Sequence, residues 1–243
     1  MNQFKPYLLP CFLFTMFIAL LSGLRYYSSL NHIPYDIKDA IKTCNVVPVV
    51  IIGGGPAGLS ASIYITRFGI PCLLFDEIYL QPAKDIYCDP DWIGFDHGEF
   101  GERVLEMRKQ TVNLGTTLVN CKIKSVDLSV WPFILKDEKD RSFRAMAVII
   151  ATGSHNKKPN SAIFKEQIQL TSDGYIQLQK RMYSTSRSGV FAAGSVYAEC
   201  AHPIIVASQG ASAAIDTKVF LYEIGYSNDI QRILHNKQFV SFD

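Results

Sequence analysis

The chain has 243 residues, 48% of them hydrophobic, with 24 Lys and Arg against 22 Asp and Glu. That length carries one large domain or two small ones around a sizeable core, and the charge balance removes the electrostatic case for a nucleic-acid partner. Six cysteines at 11, 44, 72, 88, 121 and 200 form no C-x-x-C and take no zinc-finger spacing to histidine, so neither a disulfide framework nor a metal site is expected.

In chain order, residues 7–24 form an uncharged stretch, YLLPCFLFTMFIALLSGL, between Lys5 and Arg25. This is the short end of the length that spans a bilayer as a helix, and Pro10 is tolerated near its start. The same stretch also reads as the apolar region of a cleaved signal, with Ser22-Gly23 near a cut. Its length favours an uncleaved, single-pass transmembrane anchor within residues 1–25. Lys5 alone precedes it while Arg25, Lys38 and Lys42 follow, which tips the C-terminal domain towards the cytoplasm. A cleaved signal would instead give a secreted or periplasmic protein. Residues 26–45 read as a polar, partly helical linker.

The β-branched run at 47–52 stops at Gly53-Gly54-Gly55-Pro56-Ala57-Gly58, a GxGxxG fingerprint where a strand ends and a helix begins. Gly53 permits the tight turn, Gly55 lets backbone approach a pyrophosphate, and Gly58 lets the helix pack on the strand. The phosphates would sit on N–H groups at the positive end of that helix. Residues 59–68 suit a helix, Gly69-Ile70-Pro71 breaks it, and 72–75 read as a second buried strand. That strand ends at Asp76, 18 residues beyond Gly58, where an acid is wanted for ribose hydroxyls. The stretch predicts an adenine dinucleotide.

Gln81-Pro82 and Asp89-Pro90 break regular structure ahead of an aromatic cluster, Trp92-Ile93-Gly94-Phe95. Residues 99–114 predict an amphipathic helix stopped by Gly115. Segments 116–119, 122–126, 133–136 and 143–150 are strand-like, with turns at Trp131-Pro132 and 137–140. The last strand runs into Ala151-Thr152-Gly153-Ser154, whose small side chains allow a cofactor to come close.

Taken together, these segments resemble the thioredoxin reductase branch of the FAD-dependent pyridine nucleotide–disulfide oxidoreductases. Gly53 to Gly58 matches its FAD fingerprint, and Asp91-Trp92-Ile93-Gly94-Phe95 is similar to its N-W-P-G-F segment. Ser125-Val126-Asp127-Leu128-Ser129 with Trp131-Pro132-Phe133 looks like its K-V-D-L-S-x-R-P-F hairpin, and Val148 to Gly153 like its V-I-I-A-T-G turn. Asp173-Gly174-Tyr175-Ile176 and Thr185 to Gly194 follow the family's wording closely, and 207–216, ASQGASAAID, resembles its final flavin-facing helix. The resemblance covers about residues 46–225.

It implies an α/β fold: a Rossmann-like FAD-binding domain at 46–225, with a parallel sheet, helices and an antiparallel β insertion. One N-terminal hydrophobic helix would precede it, and 226–243 would be a tail. It further implies a flavoprotein oxidoreductase in which Gly53, Gly55, Pro56, Ala57 and Gly58 hold the pyrophosphate and Asp76 the adenosine ribose. Ile123 would lie near the adenine, Ala151, Thr152 and Gly153 against the cofactor, and Gly194 with Ser195 at the ribityl chain. His202 and Pro203 would begin a helix aimed at the flavin ring. His202 is weighed against a plain exposed loop histidine, and Cys200, close by, is a weaker candidate for a flavin-linked thiol. A homodimer is an arrangement the resemblance allows.

Departures from the pattern matter equally. The family's NADPH domain lies between the A-T-G turn and the D-G-Y-I segment, but here only residues 155–170 stand between them, too few for a βαβ unit. The redox C-x-x-C of that domain is absent with it, and Ser195 stands where the family has an aspartate, a weaker acceptor. The expected protein is a membrane-anchored FAD oxidoreductase whose electron donor and acceptor are a partner protein or small molecule. The competing expectation is a non-catalytic FAD-binding subunit of a membrane complex. A third, a thiazole-synthase-like or monooxygenase-like enzyme, fits the D-G-Y-I and G-V-F-A-A-G wording less well.

Overall fold

The computed structural model describes residues 46–77, 92, 100–155, 158–179, 183–199 and 202–227, all within the second of the chain's two units, Asp36–Asp243. The expected anchor helix in 1–25, the linker at 26–45, residues 93–95 of the aromatic cluster and Cys200 lie outside the described residues.

The elements run β1 (Val46–Ile52), α1 (Pro56–Arg67), β2 (Cys72–Phe75), α2 (Phe100–Asn113), β3 (Thr117–Val119), β4 (Ile123–Asp127), β5 (Phe133–Asp137) and β6 (Ser142–Ile150). A two-residue pair follows, β7 (Ser154–His155) and β8 (Lys158–Pro159), then a 3-10 turn (Ala162–Phe164), β9 (Val190–Ala192) and α3 (Pro203–Glu223). The expected boundaries of β1, α1, β2 and α2 hold to within a few residues. The last helix is longer than the expected 207–216, and β7, β8 and β9 are too short to leave a period-2 pattern.

One seven-stranded sheet has the order β3-β2-β1-β6-β5-β4, with β9 also on β6. β6 organises it. On one side, Arg144 to Ile150 pairs in parallel with β1. On the other, its first half, Ser142 to Ala145, pairs antiparallel with β5, and its last three residues pair in parallel with β9. A single strand thus belongs to a parallel layer (β3-β2-β1-β6-β9) and to an antiparallel insertion (β4-β5-β6), as expected.

Every residue of β1 is buried, which is why it reads as a continuous apolar run and shows no alternation. Val49 and Ile51 enter one core cluster, while Val47, Val50 and Ile52 enter the other. The first cluster lies with α1 and α3 (Leu59, Ala61, Ile65, Ala213, Ala214, Leu221), the second with the β insertion (Phe133, Leu135, Phe143) and Phe164. α3 is long and apolar enough to cross a membrane, yet Gln209, Gly210, Ala213, Ala214, Thr217, Phe220 and Leu221 are buried. That stripe marks it as a core helix of the domain. The core also extends one residue past the expected boundary at 225, because Tyr226 is buried in the first cluster.

Asp137 closes the β5–β6 turn. It has no exposed surface, and it accepts bonds from Lys139 N (3.0 Å), Arg141 N (2.9 Å) and Arg141 Nε (2.7 Å). Burial pushes its carboxyl up, but the bonds and charge of Arg141 outweigh burial and hold it below the ordinary value. Its contribution to stability is therefore complete above the unfolded carboxyl pKa of about 3.9 and lost as pH falls through the lower folded value. Asp137→Asn should lower Tm at pH 7, and the gap to the parent should close as circular-dichroism melts are taken below about pH 4. A second expectation concerns Tyr226, whose buried hydroxyl has no hydrogen-bond partner among the described residues. Such an orphan costs about 1–3 kcal/mol, so Tyr226→Phe should leave the urea midpoint unchanged or raise it.

Candidate dinucleotide site

Five parallel strands end at one edge, and the exits of four of them are stapled to a neighbour. Gly53 N donates to Phe75 O (2.8 Å), Asp76 N to Val119 O (3.0 Å), Ala151 N to Ile52 O (2.8 Å) and Ala193 N to Ile150 O (2.9 Å). The result is a continuous backbone floor at the carboxyl ends of the strands, where open α/β sheets bind ligands.

The glycines of the β1–α1 turn divide their work. Gly53 has φ +116°, and a Cβ there would overlap Ala151 O. Gly58 packs so closely that a Cβ would overlap Gly53 O, which locks α1 onto the turn. Gly55 is different: it has φ −79°, and a Cβ would meet nothing within 4 Å. It is the glycine that faces open space. Gly55 is also the N-cap of α1, with Pro56 in the first turn and neither an acid nor a side-chain cap there. The first N–H to bond back is Leu59 N, to Gly55 O (2.9 Å). The amides ahead of it, Ala57 and Gly58 among them, are those a helix leaves without an intrahelical acceptor. An uncapped helix start behind an open glycine suits a diphosphate.

Gly54 meets Asp76. A Cβ at Gly54 would fall on the Asp76 carboxylate, which therefore lies flat against the turn. Asp76 has no exposed surface; its Oδ2 accepts a hydrogen bond from Arg108 Nε (2.8 Å), from α2, and lies 2.6 Å from Nη2 in an ion pair. The expected ribose acid is thus at the turn, but inside a buried ion pair that sequence reading missed. A signal was there: Arg108 shares the buried face of α2 with Val104 and Thr111, at spacings of four and three that belong to an apolar stripe.

The A-T-G turn is tied from the side. Thr152 Oγ1 donates to Asn160 O (2.7 Å), Asn160 Nδ2 to Thr152 O (2.9 Å), and Asn160 N to Gly153 O (2.9 Å). Next to it, Ser195 Oγ lies 3.6 Å from the point a Cβ on Gly153 would occupy. Gly194, with φ +82°, has room for a Cβ only 3.0 Å from Ala57 Cβ and 3.3 Å from Val206 Cγ1. Gln209 Oε1, from α3, accepts from Gly194 N (3.1 Å), and a Cβ on Gly210 would overlap Ala57 O. The starts of α1 and α3, the β6 exit and the β9 exit thus converge on Ala57 and Gly194. Gln209 was not singled out from sequence, because a single glutamine in a small-residue helix carries no pattern of its own.

The remaining candidates are dispersed. His202 is exposed and is the N-cap of α3, with Pro203 in the first turn as expected and no side-chain cap. The side chain of Ile123 is buried with Phe75 and Val119 in the core, so only its backbone is left to face a ligand. Cys72 and Cys121 are both buried. Burial pushes the Cys72 thiol up to about 11 against the opposing bonds of Thr66 and Thr116, and burial with the Glu138 bond also raises Cys121. Neither is a thiolate nucleophile at neutral pH. Among the described residues no cluster of His, Cys, Asp and Glu could hold a metal.

Comparison with known proteins agrees with this geometry. A family model for pyridine nucleotide-disulphide oxidoreductases matches residues 47–162. The thioredoxin reductase of Rickettsia bellii is 38% identical over 110 residues, 44% of this chain and 35% of that protein. That of Dictyostelium discoideum is 34% identical over 130 residues, 49% of this chain and 40% of that protein. The chain thus spans well under half the length of the curated relatives it matches. In fold, the thioredoxin reductase of Giardia duodenalis superposes with a TM-score of 0.68 at 17% identity, covering 73% of this chain and 99% of that one. A ferredoxin-flavin thioredoxin reductase from Clostridium acetobutylicum gives 0.63 at 14% identity over 73% and 99%. With a turn whose one open glycine leads an uncapped helix, residues 47–162 match the pyridine nucleotide-disulphide oxidoreductase family model, and the chain is similar in sequence and fold to thioredoxin reductases.

Proposed function

We propose that residues 46–225 form a single FAD-binding unit that passes electrons between a donor and an acceptor supplied from outside this unit. The observation that carries it is the open Gly55 ahead of an uncapped α1, while Gly53 and Gly58 are filled by the protein's own backbone. In this reading the Gly55, Ala57 and Gly58 amides hold the diphosphate, while Asp76, without exposed surface and paired with Arg108, supports the adenosine side of the turn from beneath. Ser195 is a neutral partner for a ribityl hydroxyl. Ala151, Thr152 and Gly153 form a wall free of bulky side chains. FAD supplies the redox chemistry when bound; the chain contributes position, backbone dipoles and the start of α3, whose positive end favours negative charge on the ring.

The outside donor is supported by the connection after β6. Ser154-His155 pairs antiparallel with Lys158-Pro159, and Asn160 ties that pair to the A-T-G turn. A nicotinamide domain implied by the resemblance has no room there. The Clostridium neighbour's name joins this fold to ferredoxin in that protein, which lends weight to a protein donor. We further propose that residues 7–24 anchor the unit to a membrane, with the domain on the cytoplasmic side. A second reading, an FAD-binding subunit without catalysis, draws on the two described cysteines, both buried with raised thiols, which leaves no described thiol to relay electrons.

The full chain in detergent, reconstituted with FAD, should show a bound-flavin visible spectrum. Under anaerobic conditions it should bleach with reduced ferredoxin or dithiol and only slowly with NADPH. Bound flavin that no donor bleaches would favour the non-catalytic subunit, and absence of bound flavin would overturn both readings.

A further inference from the structure

The Asp76–Arg108 pair stands where a ligand-facing acid was expected, packed against the phosphate turn. The carboxylate fills the space that a side chain at Gly54 would need, so it touches the backbone of the phosphate turn itself. Its own amide is fixed to Val119 O (3.0 Å). Arg108 brings Nε and Nη2 onto the same oxygen, Oδ2, and the side chains of Arg108 and Asp76 are only 10% and 0% exposed. The helix that supplies Arg108 is itself tied to α1, because Ser62 Oγ donates to Thr111 Oγ1 (3.4 Å). One guanidinium therefore links α2, the end of β2 and the turn that leads into α1.

Electrostatics gives that link a consequence. A bare carboxylate packed on the turn would repel a diphosphate on the neighbouring amides, and little solvent is present to screen it. A guanidinium on Oδ2 cancels that charge and fixes the carboxylate's rotation. We propose that Arg108 is a positioning residue for the adenosine half of the dinucleotide: it holds and neutralises Asp76 against Gly54, so that carboxylate and phosphate turn act as one preformed cradle. The proposal rests on the FAD reading above. Lysine retains the charge but offers a single flexible point donor, so it should replace Arg108 only in part.

The test uses the full chain with Arg108→Met, Arg108→Lys and the double variant Arg108→Met/Asp76→Asn. FAD affinity is read by flavin fluorescence, ADP affinity by competition, FMN affinity as a probe lacking the adenosine half, and folding by thermal melts. Arg108→Met should weaken FAD and ADP together by about tenfold or more, with FMN changed less than about twofold. Arg108→Lys should fall between Met and the parent. The double variant should bind FAD better than Arg108→Met alone, since the unpaired charge is gone. Unchanged ADP affinity in folded Arg108→Met overturns the proposal, as does an equal loss for FMN and ADP that follows a drop in Tm. Should Arg108→Met fail to fold, Arg108→Lys decides by its ADP-to-FMN ratio, and a parental ratio overturns the proposal. A parent protein that binds neither FAD nor ADP removes the FAD reading along with it; one that binds FAD equally well with and without Arg108 removes only this proposal.

Discussion

Close approach of backbone to backbone around Gly53 is the constraint on which the rest of the site depends. The turn lies against Ala151 on one side and is closed by Gly58 on the other, which leaves no volume for any side chain at either position. That contact sets where α1 begins, and the start of α1 sets where its amides point. The same economy recurs at Gly194 and Gly210, both packed on Ala57, so that α1 and α3 sit closer than side chains would otherwise allow. The floor is held by main-chain staples between strand exits, so its position does not depend on side-chain contacts.

β6 explains how two kinds of sheet coexist in so short a domain. Its outer edge is shared in sequence, first by β5 and then by β9, so the antiparallel insertion and the parallel layer need no separate strand. The chain then leaves β6 through the A-T-G turn and returns at once through β7 and β8. The long route that the resemblance implies at this point is replaced by this antiparallel pair, pinned by Thr152 and Asn160.

Much of this was legible in the residues. The apolar run before Gly53, the breaker at 69–71 and the periodicity of 99–114 predict β1, the end of α1 and α2, because each rests on local rules of turn chemistry and helix period. The strand-to-turn passage at Ala151-Thr152-Gly153 was legible for the same reason. What was not legible depends on contacts distant in sequence. Nothing local says that Arg108 reaches Asp76 across 32 positions or that Gln209 holds the amide of Gly194. The short strands β7, β8 and β9 exist through pairing partners and not through propensity. Asp76 shows the limit best: its position at the end of β2 was readable, whereas its burial in an ion pair was not.

The central claim is that the three fingerprint glycines have different reasons to be glycine, two for the protein and one for its ligand. The most direct measurement is the FAD dissociation constant and the Tm of Gly55→Val beside those of the parent. A side chain at Gly55 enters open space at an ordinary φ, so the account predicts a folded protein with a Tm lowered by no more than about 4 °C, the cost of about 1 kcal/mol for Val in place of Gly at an N-cap. It also predicts FAD binding weakened by at least about a hundredfold, the loss expected when diphosphate contacts are blocked by a side chain. A folded Gly55→Val protein that binds FAD with parental affinity would contradict it.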